Sequence, residues 1–549
     1  NNSPDTLHVL VFKFIQNIHK PGAPRLGTAV EDYLTDGVHV DAFSINGESK
    51  KWNNQEYSPT VQYASLSKPL LPHDSVQLSF DWHFEISLKS GREGMIDSTT
   101  YFLAYFYPRV AVYDDYNGWD DLDHNDALEF YNDFNDYVLN VKVPRNYLVW
   151  ATGNLQNASE VLQPTYLQRL NESMKTDRKI EIATSADLAG KNITKQNDSN
   201  TWTFAYDNIT DVALGLSDHF VWDASSVIVD PKTKRRASMQ AAYNDTAKDF
   251  HRMVEIGQSS LGYLSTQWPG VAYPFPKMTV FQGYAGMEYP MMANDETYSD
   301  FYFARFVAEH EISHTWFPFY MGINETRYGF MDEGWATTFE LLYNRSVMSK
   351  DSAEGFYKQF RINGWINDPS ADEDLPIITP GENLSGRGLG NNEYGKPSLA
   401  YLSLKDMLGD DVFRKCLHGF MDRWHGKHPI PWDFFYSFNN ISGQNLNWFW
   451  NAWFFTNSYI DLSLSKINKT GTDYKIDIAN IGGFPVPIDL QLNFTDGSMQ
   501  TVHKSPAIWE ANQKGASVTV SSKKSLQSVQ LVSGIYMDAN ETNNTLEYK

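Results

Sequence analysis

His310-Glu311-Ile312-Ser313-His314 is the stretch on which the reading of this chain turns. On a helix, residues four apart share a face, so both imidazoles can reach one ion. Zinc accepts neutral imidazole nitrogen at about 2.0–2.1 Å, and a catalytic site needs a third protein ligand and an open position for water. Glu311 directly follows the first histidine, placed to take a proton from that water. Taken alone, the five residues also describe a polar helix with paired histidines. The surroundings decide. Asp332-Glu333-Gly334-Trp335-Ala336 opens a further helix candidate, with 18 residues between His314 and Glu333. A helix–turn–helix return of that length can bring a carboxylate back to a metal. Two histidines, one glutamate and water make up the ligand set of hydrolytic zinc sites. The plainer reading of Glu333 is a carboxylate at a helix N-terminus.

Two further pieces stand at ordered positions. Ala285-Gly286-Met287-Glu288-Tyr289 precedes the helix, and Tyr394-Gly395-Lys396-Pro397 lies well beyond Glu333. With His310–His314 and Glu333 they resemble the aminopeptidase N family of zinc metallopeptidases, gluzincins with a thermolysin-like catalytic domain. The first piece is similar to that family's Gly-Ala-Met-Glu-Asn motif and the second to its Tyr-x-Lys-Gly motif. The resemblance is strongest over about 270–455. It implies one Zn2+ ion bound by His310, His314 and Glu333, with Glu311 activating water. It implies that Glu288, with Gly286 and Met287 beside it, holds the free α-ammonium of a peptide, and that Tyr394 donates its phenol to the tetrahedral oxyanion. A carboxylate suits an ammonium, and a neutral phenol suits a developing negative charge. The chain departs from the family's pattern in three places. The stretch Phe102 to Arg109 puts Tyr105 where a Gln or Glu often serves as second amine anchor. Tyr289 replaces the motif's Asn. A small β domain follows the helices where many members have a large helical one, which implies a more open cleft.

The rest of the chain frames these pieces. Val9–Phe12, Val76–Phe84, Val138–Val143 and Tyr147–Ala151 read as strands, and Val76, Leu78 and Phe80 alternate with polar residues as in a half-buried one. Residues 1–214 are therefore expected to form a β-rich domain, short of the family's opening strands, so that the chain is expected to be a processed or incomplete form of a longer one. Met278–Phe281 reads as a strand. Helices are expected from Asp300 to about Phe317 and over 333–347, 397–408 and 410–424. Alternation at Val486, Ile488, Leu490, Leu492 and Phe494, with a turn at Asp496-Gly497, marks a C-terminal β-sandwich. The expected class is multidomain α+β: a β-rich domain 1–214, a thermolysin-like α/β domain 215–457 and a β-sandwich 458–549.

Composition narrows the partners. The formal charge of −22 argues against nucleic acid or an anionic membrane. No apolar run reaches the roughly 18 residues of a membrane span. The single cysteine, Cys416, rules out an internal disulfide and reads as a small core residue. Aromatics at 15% are expected to fill cores. Asp114, Asp115, Asp120, Asp121, Asp123 and Asp126 read as a solvated loop, because no glycine stands where a calcium loop needs one. His425 and His428 read as a helix C-terminus. The Asn-x-Ser/Thr sequons at Asn157, Asn192, Asn208 and Asn324 carry no argument.

The sequence thus points to a zinc-dependent aminopeptidase acting on peptides with a free N-terminus. A thermolysin-like endopeptidase, a non-catalytic peptide-binding scaffold and a carbohydrate-active protein stand as rivals. Compartment stays open between cytoplasm and export, and oligomeric state and side-chain preference stay open too.

Overall fold

The computed structural model describes residues 1–25, 27–55, 57–89, 91–367 and 374–549. By internal packing the chain divides into two compact units, Asn1–Gly322 and Ile323–Lys549.

The first unit opens in small antiparallel sheets. Leu7–Lys13 pairs with Val61–Leu70 and with Arg109–Val110, while His39–Ile45 pairs with Leu78–His83. Phe12, Phe14, Phe43, Trp52 and Phe80 close the core between them, with Phe14 stacked on Trp52 at 5.2 Å. The half-buried strand expected around Val76 begins two residues later, at Leu78. A four-stranded sheet follows in the order Leu148–Ala151, Leu214–Ser217, Thr100–Leu103, Gly94–Asp97. Asn135–Pro144 and Asn154–Leu155 flank Ser199–Ile209 in another. The largest sheet has six strands in the order Ile180–Ala183, Val221–Asp230, Arg235–Tyr243, Lys277–Gln282, Met292–Asp295, Met287–Tyr289. Arg235–Tyr243, Lys277–Gln282 and Met292–Asp295 run parallel, and the last strand turns back antiparallel. Helix Met253–Thr266 packs on this sheet and on helix Phe301–Ser313.

One polar group ties the β-rich part together. Arg109 donates to both oxygens of Asp211 at 2.8 Å, and Tyr107, itself bonded to Tyr137, donates to Asp211 at 3.2 Å. Both charges are buried. Removing one partner of such a pair strands the other. Arg109→Met is expected to lower the unfolding free energy of the chain by about 3–5 kcal/mol, read from urea denaturation.

The acidic stretch corrects the sequence reading in part. Asp120 is buried and pairs with Lys13 at 2.9 Å. Asp123 accepts from the backbone and hydroxyl of Thr60. These carboxylates are cross-links, because a lysine and a threonine far away in sequence supply the partners that a solvated loop would take from water.

The second unit is helical and then β. Helices Glu333–Val347, Lys396–Leu408, Asp410–Trp424, Pro431–Ser442 and Asn447–Phe454 surround an aromatic core. Trp335 stacks on Tyr401 at 4.0 Å, and Phe434, Phe435, Trp450 and Phe454 interlock edge to face and tilted. Cys416 is buried there, and burial pushes its thiol up to about 11. His425 caps its helix, its Nδ1 2.8 Å from the Met421 carbonyl oxygen. Two antiparallel sheets complete the unit, Leu462–Thr470, Asp473–Asn480, Gly515–Ser521 and Met499–Lys504, Ile488–Phe494, Leu526–Leu531, Thr545–Glu547. The alternating residues Val486 to Phe494 all point inward. Among the described residues no helix is long and apolar enough to cross a membrane.

Candidate active site

Asp300 starts the motif helix by accepting the backbone N–H of Tyr302 at 2.8 Å and of Phe303 at 3.5 Å. The α-helix ends at Ser313, four residues short of the Phe317 expected from sequence. Pro318 is the reason: the residue before a proline is driven out of the helical region, and Phe317 sits at φ −137°, ψ 108°. That break turns the Phe317 carbonyl back onto the helix, where it accepts from His314 Nδ1 at 3.2 Å. A carbonyl can only accept, so Nδ1 carries the proton and Nε2 presents its lone pair. The His310 and His314 rings lie 4.8 Å apart and nearly perpendicular, at 82°. Both are buried. Two buried imidazoles, one with its Nδ1 proton fixed by a carbonyl, form a donor pair that fits zinc.

The turn before Glu288 comes up against this helix. A Cβ on Gly286 would stand 3.0 Å from Val307 Cγ1 and 3.1 Å from Glu311 Oε1, so those side chains would have to give by a few tenths of an ångström. Glycine there lets the backbone pass over the Glu311 carboxylate. Met287–Tyr289 then pairs with Met292–Asp295, which sets Glu288 opposite Ala293. Ligand-type atoms of Glu288, Glu311 and His314 all fall within 4.8 Å of one another. The expected amine anchor, the expected base and an expected ligand therefore converge within one unit.

The sequence missed a second carboxylate. A Glu129 oxygen lies within 4.8 Å of a Glu288 oxygen. Arg92 grips Glu129 in a two-pronged pair, 2.6 and 2.7 Å. Asn294 fixes that arginine's backbone by donating to the carbonyls of Gly91 and Arg92 at 3.1 and 3.2 Å. Tyr289 adds a bond from its hydroxyl to the Arg92 carbonyl. Tyr105, expected to stand in for the second anchor, stacks on Phe130 at 4.1 Å, and its ring centre lies 5.7 Å from that of Tyr289. The carboxylate that lies beside Glu288 belongs to Leu128-Glu129-Phe130. The acidic residue before a Phe-Tyr pair was a visible signal, but nothing local distinguished it from the many other acids nearby.

Asp295, at the end of its strand, is wholly buried. Burial foremost, then the Glu311 and Asp249 carboxylates, hold its carboxyl well above the usual range. A raised folded-state pKa draws stability away as pH climbs above the unfolded value of about 4. Asp295→Asn is therefore expected to melt higher than wild type at neutral pH and to lose that advantage below about pH 4. Melting temperature against pH for the two proteins checks this.

The second unit carries the remaining expected residues. Glu333 is the first residue of its helix and is buried. Tyr394 donates to Glu333 Oε1 at 2.7 Å. Arg361 lies 5.1 Å from the centre of the Tyr394 ring and pairs with Glu340, two turns along the Glu333 helix. Gly395 cannot carry a side chain, since its Cβ would meet the Arg361 carbonyl oxygen at 1.9 Å. The backbone contact fixes Tyr394 over that arginine. Lys396 Nζ is buried against Asp374 at 2.7 Å and the Leu375 carbonyl at 2.8 Å, which anchors the helix that follows.

Residues 283–453 match the model of the Peptidase family M1 domain. The chain carries an M1 peptidase domain. The family resemblance read from His310–His314, Glu333, Glu288 and Tyr394 is borne out by that match. The M1 domain begins at the turn before Glu288 and ends in the aromatic helices. Among solved structures the chain is similar to aminopeptidase A of Legionella pneumophila, with TM-score 0.61 and 13% identity over 95% of this chain and 54% of that one. It thus spans about half the length of that relative. It is also similar to a mutant form of an M1 zinc metallopeptidase from Deinococcus radiodurans, with TM-score 0.50 and 15% identity over 82% of this chain and 87% of that one. At such identities the likeness is one of fold. The fold expected from sequence, β-rich first, helical around the motif and β-sandwich last, is the one observed. A comparison with curated proteins finds no match.

Proposed function

We propose that this chain is a zinc-dependent aminopeptidase that removes N-terminal residues from peptides. The observation that carries the reading is the charge arrangement at Glu288. The Glu288 and Glu129 carboxylates come within 4.8 Å of each other while Arg92 pairs with Glu129, so negative charge is left over for an α-ammonium to neutralise. An internal peptide bond offers no cation in that position, which favours the exopeptidase over the endopeptidase.

His310, His314 and Glu333 would hold the zinc. When bound, zinc polarises the scissile carbonyl and makes water acidic near neutral pH. Glu311 takes the proton of the attacking water and hands it to the leaving amine. Glu288 and Glu129 bind the ammonium and so fix the cut one residue from the N-terminus. Tyr394 turns its phenol from Glu333 to the oxyanion, and Arg361 beneath its ring keeps it in place. Oligomeric state and the preferred side chain do not enter this reading.

The test is a panel of aminoacyl anilides with free and N-acetylated amines, with and without chelator. Hydrolysis of the free-amine set alone, abolished by chelator and restored by zinc, is expected. Equal turnover of both sets would reject the exopeptidase. Turnover indifferent to chelation, with no metal bound, would reject the zinc enzyme.

A further inference from the structure

A cavity of about 190 Å³ lies in the first unit, away from Glu288 and the motif helix. Its walls are mostly apolar: Val149, Leu155, Leu170, Phe204 and Trp222 come from three sheets and from helix Pro164–Ser173. Ser238 and Gln240 add polar surface that is already satisfied, since Gln240 accepts from the Trp222 indole at 3.1 Å and donates to Ser238 at 3.2 Å. Lys277 is the one charged residue of the lining.

Lys277 is 7% exposed. Its ammonium donates to the Ala151 carbonyl and lies 5.1 Å from the centre of the Phe204 ring. No carboxylate pairs with it among the described residues, although the chain carries an excess of acids. Buried lysines ordinarily have an anionic partner. Burial alone pushes the amine down to about 7.

We infer that this cavity is a binding site for a small apolar monocarboxylate, whose carboxylate pairs with Lys277 while its tail lies on the apolar walls. The charge complement sets the head group, since a carboxylate supplies the counter-ion that the buried ammonium lacks. The volume sets the tail. It exceeds the roughly 150 Å³ that admits benzene and falls below the roughly 300 Å³ at which drug-sized pockets begin, so about eight to ten non-hydrogen atoms fit.

The test uses the whole chain with hexanoate and hexan-1-ol as probes, their binding followed by saturation-transfer NMR and calorimetry. Hexanoate is expected to bind about 10- to 100-fold more tightly than the alcohol, the factor of one charge-assisted hydrogen bond. Lys277→Met should bring that ratio to about one while the alcohol still binds. Leu170→Trp, a change at a half-buried position, should fill the cavity and remove binding of both. The second variant keeps the test decisive should the first fail to fold. Equal affinity for acid and alcohol in the wild type, a preference that survives Lys277→Met, or hexanoate binding that survives Leu170→Trp would each overturn the assignment. So would the absence of saturable hexanoate binding to the wild type.

Discussion

Glu311→Gln is expected to bind zinc as the wild type does and to hydrolyse free-amine anilides about 10²–10⁴-fold more slowly. The amide keeps the size of the side chain and the contact under Gly286, where the carboxylate oxygen lies 3.1 Å from the position a Cβ would take. It cannot accept a proton. The loss should fall on kcat, with KM little changed, because Glu311 acts on the attacking water and not on the peptide's ammonium. Metal content measured beside the kinetics separates a missing base from a damaged ligand shell. Wild-type turnover in a zinc-loaded variant would remove Glu311 from the chemistry.

The second large effect concerns the amine. Glu288→Gln should lower kcat/KM for free-amine substrates by about 10²–10³-fold, the range set by breaking a buried charge pair. Glu129→Gln should lower it too, and it leaves Arg92 without its counter-ion, so its melting temperature should fall as well. The double variant should lose less than the product of the single losses, because the two carboxylates share one ammonium. N-acetylated substrates should respond to none of these changes. Steady-state kinetics of the three variants on paired free and acetylated substrates measures the coupling. Independent, multiplicative losses would show that the two glutamates serve different partners.

The limits of the sequence are clearest at Tyr105 and Glu129. By order of pieces, Tyr105 stands where the family resemblance puts a second amine anchor. In the folded chain that residue has a positive φ of 56° and lies buried against Phe130 and Tyr289. Glu129 takes the place beside Glu288 because Arg92, itself held by Asn294 and Tyr289, draws it there. Such a chain of contacts links four segments that no window of sequence contains. The acidic stretch shows the same limit, since Asp120 and Asp123 find partners in Lys13 and Thr60.

Local rules carried the rest. The four-residue spacing of His310 and His314 put both on one helical face, and Pro318 ended that helix through the restriction that proline places on its neighbour. Alternation from Val486 to Phe494 fixed a strand and its buried face. The sequence by itself determined where the candidate metal ligands and the candidate base stand and the order β-rich, helical, β-sandwich, because periodicity and spacing act within a few turns or strands. Only the tertiary structure decided which acid joins Glu288, which aspartates are buried, and that Lys277 lies in an apolar cavity with no carboxylate partner among the described residues. Burial and charge pairing depend on residues brought together from distant parts of the chain, and their energies exist only once that packing is made.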